Sequence, residues 1–139
     1  MKILFDTNVI LDVMLLRDPF FKTATLLLAE VEKKEIKGYI CPTTVTTIFY
    51  LVSKVKGSAE ARKLITNLLQ IFEASKLDKS ILETALNPNF KDYEDSVLYE
   101  SAVKTSLDGI VTRDRKDFRN SKLPVFDPEE LFKLITQLK

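Results

Sequence analysis

Ile3-Leu4-Phe5-Asp6-Thr7-Asn8-Val9-Ile10-Leu11 is the stretch on which the fold turns. An apolar run stops at an aspartate, and a second apolar segment starts almost at once. The pattern describes a buried strand whose end hands a carboxylate to a strand-to-helix junction. In open α/β sheets, ligands collect outside the carboxyl ends of the strands. Asp6 therefore stands where chemistry is usually done. It also suits the N-cap of the helix that follows, and the two roles are compatible.

Outward from this segment, short β-rich runs alternate with longer helical patterns. That is the rhythm of a parallel sheet covered on both faces. Strands are expected at Lys2 to Phe5, Gly38 to Cys41, Ala74 to Leu77, Gly109 to Thr112 and Pro124 to Phe126. The first helix is expected over Asn8 to Leu16. The second starts at Pro19 under a cap from Asp18 and reaches about Glu35. Val45 to Val55 reads as a third, and Ser58 caps a fourth that reaches about Phe72. Asp78 caps a helix through Leu86, Asp92 to Ser106 forms another, and Asp127-Pro128-Glu129-Glu130 opens the last. The expected fold class is α/β, a three-layer α/β/α sandwich with a central parallel sheet of four to five strands. With no repeat, linker or low-complexity segment, residues 1–139 read as one domain.

Composition narrows the chemistry. The chain is 45% hydrophobic and 29% charged, the balance of a globular protein. No apolar run approaches the ~18 residues of a membrane span, and no leader pattern opens the sequence. A cytoplasmic protein without membrane attachment is expected. A net charge of +1 gives no global pull toward a polyanion, so any such partner needs a local patch or a metal. There is no histidine, which removes Ser-His-Asp catalysis, an imidazole base and a histidine zinc site. Cys41 stands alone in a strand pattern and reads as a small buried apolar residue. Gly38, Gly57 and Gly109 are too scattered for a phosphate-binding loop. Carboxylates, hydroxyls, amides and amines remain.

The carboxylates fall in three places. Asp6 ends the first strand. Asp95 projects into an apolar helical stripe of Leu98, Tyr99, Ala102 and Val103, where a carboxylate is costly unless paired, protonated or metal-bound. Asp92 lies one turn earlier and fits an N-cap. Asp114 and Asp117 follow a late strand, and Thr112-Arg113-Asp114 repeats the geometry of Phe5-Asp6. Asp12 reads as a solvated acid of the first helix, at most an outer-shell group. If Asp6, Asp95 and Asp114 or Asp117 converge, the cluster repels itself without a cation. Oxygen ligands alone favour Mg2+ or Mn2+ over zinc, and phosphodiester hydrolysis is the matching reaction. Arg113, Arg115, Lys116, Arg119 and Lys122 lie alongside and suit a polyanionic backbone. Arg115 and Lys116, between the two acids, are the best placed.

Three pieces in order carry a family resemblance: Asp6-Thr7-Asn8-Val9-Ile10-Leu11-Asp12, Tyr93-Glu94-Asp95 and Val111-Thr112-Arg113-Asp114-Arg115-Lys116-Asp117-Phe118. Together they resemble the PIN-domain family of metal-dependent ribonucleases, including VapC-type toxins, over essentially the whole chain. The resemblance implies Asp6, Asp95 and Asp114 as metal-site acids and Asp117 as a further catalytic candidate. It implies RNA as substrate, Mg2+ or Mn2+ as cofactor, and a homodimer paired with a small antitoxin. Thr7, Asn8 and Thr47 are expected to orient water or phosphate, with Asp92 and Thr112 in support.

One departure matters. The family carries an acid on the helix after the second strand, and Thr47 stands at that position here. A hydroxyl can bond a metal-bound water but brings no charge. The leading expectation is a metal-dependent endoribonuclease, the toxin of a toxin-antitoxin pair. The alternative is a catalytically weak or inactive RNA- or protein-binding module of the same fold. A haloacid-dehalogenase-like phosphatase also opens with a strand ending in Asp-Thr. It needs a second aspartate where Asn8 stands, and falls well behind.

Overall fold

The computed structural model describes residues 1–139. Strand β1 (Lys2–Phe5) leads directly into helix α1 (Thr7–Met14), and α2 (Phe21–Glu32) returns the chain to β2 (Lys37–Ile40). Helices α3 (Pro42–Lys56) and α4 (Ser58–Ile71) form a hairpin before the short β3 (Glu73–Ala74). Then come α5 (Lys79–Thr84), α6 (Tyr93–Lys104), β4 (Gly109–Val111), a 3-10 turn over Arg115–Phe118, β5 (Val125–Phe126) and α7 (Pro128–Leu138).

All strand pairs are parallel, in the order β3-β2-β1-β4-β5. The expected α/β sandwich with a parallel central sheet is what the chain forms. β1 lies at the centre, with Leu4 facing Tyr39 on one side and Ile110 on the other. The chain first winds outward through β2 and β3, then crosses back to β4 and β5. The direction of winding therefore reverses between β1 and β4. In such sheets the crevice at that reversal is the ligand site.

Alternation along β1 builds two cores, because successive strand side chains face opposite sides. Ile3 and Phe5 pack with α1, α2, α3, α4 and α7, whereas Leu4 packs with α6, Phe90, Leu107 and Phe118. Phe5 meets Phe72 edge-on at 5.0 Å, worth about 1 kcal/mol beyond simple burial. Cys41 is fully buried in the second core and accepts a hydrogen bond from the Thr43 hydroxyl. No helix is long and apolar enough to cross a membrane.

Caps mark several helix starts. Asp78, Asp92 and Asp127 accept from the backbone N–H groups of Ile81, Asp95 and Glu130, each satisfying an otherwise orphan donor. The expected Asp18 cap is absent. The N–H groups of Phe20 and Phe21 both donate to Arg17 O, so a turn occupies residues 17–20 and α2 begins at Phe21 without a side-chain cap. At α4, Gly57 takes the N-cap position at φ +88° and Ser58 is already helical.

Gly109 opens β4 where the backbone of residue 124 comes close. A Cβ there would stand 2.9 Å from Pro124 O and 2.9 Å from the Phe126 ring. The backbone carbonyl cannot yield without pulling β5 from the sheet. Gly109→Ala is expected to cost about 1–3 kcal/mol, read as a lower urea midpoint. An unchanged midpoint would show that β5 moves freely.

Candidate active site

Asp6 sits at the carboxyl end of β1, at the point where winding reverses. Its N–H continues the β1–β4 ladder by donating to Val111 O at 3.0 Å. Its backbone is extended, so its carboxylate lies at the head of α1. Oδ1 accepts from Thr7 N at 2.8 Å and Oδ2 accepts from the Thr112 hydroxyl at 2.7 Å. The residue is 6% exposed. Burial raises its pKa, the two hydrogen bonds oppose the rise, and the nearby Glu94 and Asp114 add to it. Asp6 is thus both the cap of α1 and a desolvated acid beside other acids.

Thr112 is fully buried and binds both ends of this arrangement. Its hydroxyl donates to Asp6 and accepts from Asp114 N–H at 3.1 Å. It therefore fixes the turn that carries Asp114, whose side chain is exposed. Asp117 follows on the 3-10 turn, also exposed.

Helix α6 brings the second group of acids. Asp92 caps it, and Asp95 lies half-buried in its first turn. Asp95 is pushed up to about 7, by burial first and then by Asp6, Asp92, Asp117 and Glu94. Like charges that interact this strongly share one region of low dielectric. The stripe is broader than the periodicity implies. Ser96, Val97 and Ser101 are buried with Leu98, Tyr99 and Ala102, whereas Val103 is 39% exposed, because α6 is enclosed on two sides near the sheet.

Glu94 and Thr44 belong to the site although neither stands out in the sequence. The Thr7 hydroxyl lies 3.0 Å from the Thr44 hydroxyl and donates to Glu94 Oε1 at 3.5 Å. This chain of hydroxyls joins α1, α3 and α6 beside Asp6. Glu94 is held above its ordinary pKa by burial and by Asp92. Its signal was present, as the middle residue of Asp92-Tyr93-Glu94-Asp95, but its direction depends on how α6 meets α1. Thr47, expected to orient water or phosphate, forms no side-chain hydrogen bond, nor does Asn8; both are half-buried.

Two of the expected RNA-contacting cations are committed elsewhere. Arg113 turns inward, with Nε 2.8 Å from Asp12 Oδ2 and its guanidinium 4.0 Å from the Phe20 ring centre. Asp12 is not a solvated acid; it is fully buried, with Arg17 at 3.8 Å as a second partner. Helix α1 is apolar around nearly its whole circumference and leaves no solvated face for it. Arg115 pairs with Glu130 on α7. Lys116 remains beside the acids, lining a cleft of about 350 Å3 with Asp92, Asp95 and Asp117.

As placed, no three Asp or Glu side chains are grouped to grip a cation. The chemistry of the donors nevertheless fits a hard divalent ion. They are all oxygens, and Asp95 carries a charge cost that a cation would relieve. The same cost predicts a pH dependence. With an unfolded value near 3.8 and a folded value near 7, the folded protein holds this proton more tightly. The contribution is complete below about pH 3.8 and is lost as pH rises through about 7. In EDTA, Tm is expected to fall across that window, and Asp95→Asn to flatten part of the fall and melt higher above pH 7. Parallel curves for the two proteins would contradict the shared burial of these charges.

Comparison with known proteins agrees with this fold. A family model described as PIN domain matches residues 2–116. The protein named Ribonuclease VapC1 from Aquifex aeolicus (strain VF5) is 28% identical over 133 residues, covering 93% of this chain and 92% of the relative. The structure of VapBC2 from Rickettsia felis bound to a promoter DNA fragment superposes with a TM-score of 0.69 at 17% identity, covering 91% of this chain and 98% of that one. A toxin-antitoxin complex from Klebsiella pneumoniae gives a TM-score of 0.67 at 24% identity, covering 90% and 96%. Sheet order, the carboxylates at the β1–β4 crevice and the match over residues 2–116 lead to one conclusion: the chain belongs to the PIN domain family.

Proposed function

We propose that this protein is a metal-dependent endoribonuclease and the toxin of a toxin-antitoxin pair. The observation that carries the reading is the gathering of Asp6, Glu94, Asp95, Asp114 and Asp117 around the β1–β4 crevice, where burial and the neighbouring acids hold the carboxyls of Asp6 and Asp95 above their ordinary range. A relative named as a ribonuclease and neighbours solved as toxin-antitoxin complexes support the reaction class and the partner.

Asp6 and Asp95 would hold Mg2+ or Mn2+, with Asp114 completing the set. When bound, such an ion supplies Lewis-acid polarisation of a phosphate oxygen and a lowered pKa for water. The chain's own residues do the rest. Thr112 fixes Asp6 and the Asp114 turn, so two ligands keep one relative placement before the ion arrives. Thr7, its hydroxyl backed by that of the fully buried Thr44, stands next to Asp6 and would orient water or a phosphate oxygen. Glu94, reached through Thr7, supplies the negative charge that Thr47 does not bring. Asp117 raises the charge density on the Asp95 side. A homodimer is the expected assembly.

The second reading, a binding module with little or no turnover, rests on Thr47, an uncharged side chain without a hydrogen bond. The experiment that separates them is incubation of RNA with the purified protein and Mn2+, with and without EDTA. Internal cleavage that stops on chelation is expected. Intact RNA in Mn2+ rejects the nuclease reading, and cleavage that survives EDTA rejects its metal dependence.

A further inference from the structure

Beside the acids, the cleft of about 350 Å3 has no hydrophobic residue in its lining. Lys91, Lys116 and Arg119 line it, with Asp95 among its acids and the amides of Asn89 and Asn120 beside them. None of the three cations forms a salt bridge, although Asp92, Asp95 and Asp117 share the cleft; the chain's ion pairs all lie elsewhere. Cations that share a cleft with acids without closing a salt bridge keep their donors open. That is a good arrangement for receiving an anion while the acids hold a cation.

The backbone that carries two of the cations is anchored. Lys91 follows Phe90 and Arg119 follows Phe118, and both rings are buried, 6.3 Å apart, against the core under α6. Phe90 stacks on Tyr99 at 5.1 Å. Across the top, Asn120 Nδ2 donates to Asn89 O at 2.6 Å and clasps the 87–92 loop to the 115–120 turn. Two loops distant in sequence thus present their charges from fixed backbones.

Resting on the nuclease reading, we propose that this cleft holds the sugar-phosphate backbone of RNA next to the scissile bond and does not read bases. Lys91, Lys116 and Arg119 contact phosphates, and the two asparagines offer donors and acceptors to phosphate or ribose oxygens. Sequence-selective binding of single strands uses aromatic or guanidinium faces on which bases stack. The lining holds no aromatic ring, and its single guanidinium, Arg119, is assigned to phosphate, so successive bases find no stack of platforms here. Any base preference of the protein must then come from surfaces outside this cleft. Of the basic residues expected from the sequence, Lys116 and Arg119 line this cleft and Lys91 joins them, whereas Arg113 and Arg115 are paired with Asp12 and Glu130.

The test is fluorescence anisotropy with labelled oligouridylate, oligoadenylate and an oligomer carrying abasic nucleotides. It uses the Asp6→Asn protein in EDTA so that the RNA stays intact. Its comparison is the same protein with Lys91→Ala, Lys116→Ala and Arg119→Ala. Removing three phosphate contacts should make the slope of log affinity against log salt shallower by roughly 2, and should weaken all three oligomers alike, by about tenfold or more. An unchanged slope, or a loss confined to oligomers with bases, overturns the proposal. Failure of the nuclease reading looks different: wild-type protein leaves RNA intact in Mn2+ while the binding slope still responds to the three cations.

Discussion

Asp6→Asn is expected to abolish RNA cleavage while leaving the protein folded. Even groups that only orient a metal's ligands typically cost 10–100-fold when mutated, so loss of a direct ligand should cost at least about 100-fold. The substitution keeps the shape of the side chain. Its carbonyl oxygen still accepts from Thr7 N, and the Thr112 hydroxyl can turn to accept from the new amide. Burial already holds the Asp6 carboxyl above its usual range, so the charge costs the folded state and its removal should not. Tm should stay level or rise in EDTA. Rate constants from a quenched-fluorophore RNA, measured with the melting curve of the same preparation, check both halves. Cleavage within a few-fold of wild type would remove Asp6 from the chemistry.

Arg113→Met should produce the largest loss of stability. Asp12 has no exposed surface and depends on Arg113 at 2.8 Å and Arg17 at 3.8 Å. Burial raises its pKa, and the two arginines pull it back without overcoming the burial. Breaking a buried pair from one side leaves a charge without its partner and costs about 3–5 kcal/mol. Arg17 remains, so about 3 kcal/mol is expected, or a fall in Tm of roughly 10 °C. The pH dependence gives a second readout. Without Arg113, the folded pKa of Asp12 rises further, so the variant's deficit grows as pH rises and shrinks toward acid, where Asp12 takes up a proton. Adding Asp12→Asn should recover part of the loss at neutral pH. A Tm within a degree or two of wild type would show that the pair contributes no more than a surface contact.

These two residues also show which features were legible before the structure. Asp6 was readable because its signal is local: an apolar run, an acid, then a helix. The same holds for the caps Asp78, Asp92 and Asp127 and for the parallel sheet covered on both faces. Arg113 and Asp12 were not readable as a pair, because 100 residues lie between them and only the parallel register of β1 with β4 brings them together. A run of basic residues looks like a polyanion grip until its counter-ions are known. Arg113 and Arg115 have them, and Lys116 does not. Glu94 was hidden for a related reason. Which side of a first helical turn faces the site depends on the docking of α6, and periodicity favoured Asp95 alone. Asp18 was misread because a favourable cap-and-proline pair lost to a turn closed on Arg17 O.

The most direct measurement is anomalous diffraction from crystals soaked in Mn2+. A single strong peak is expected in the β1–β4 crevice, bonded to carboxylate oxygens of Asp6 and Asp95, with those side chains drawn toward it. A peak lying elsewhere, or none at saturating Mn2+ with the two carboxylates still apart, would contradict a metal-dependent centre.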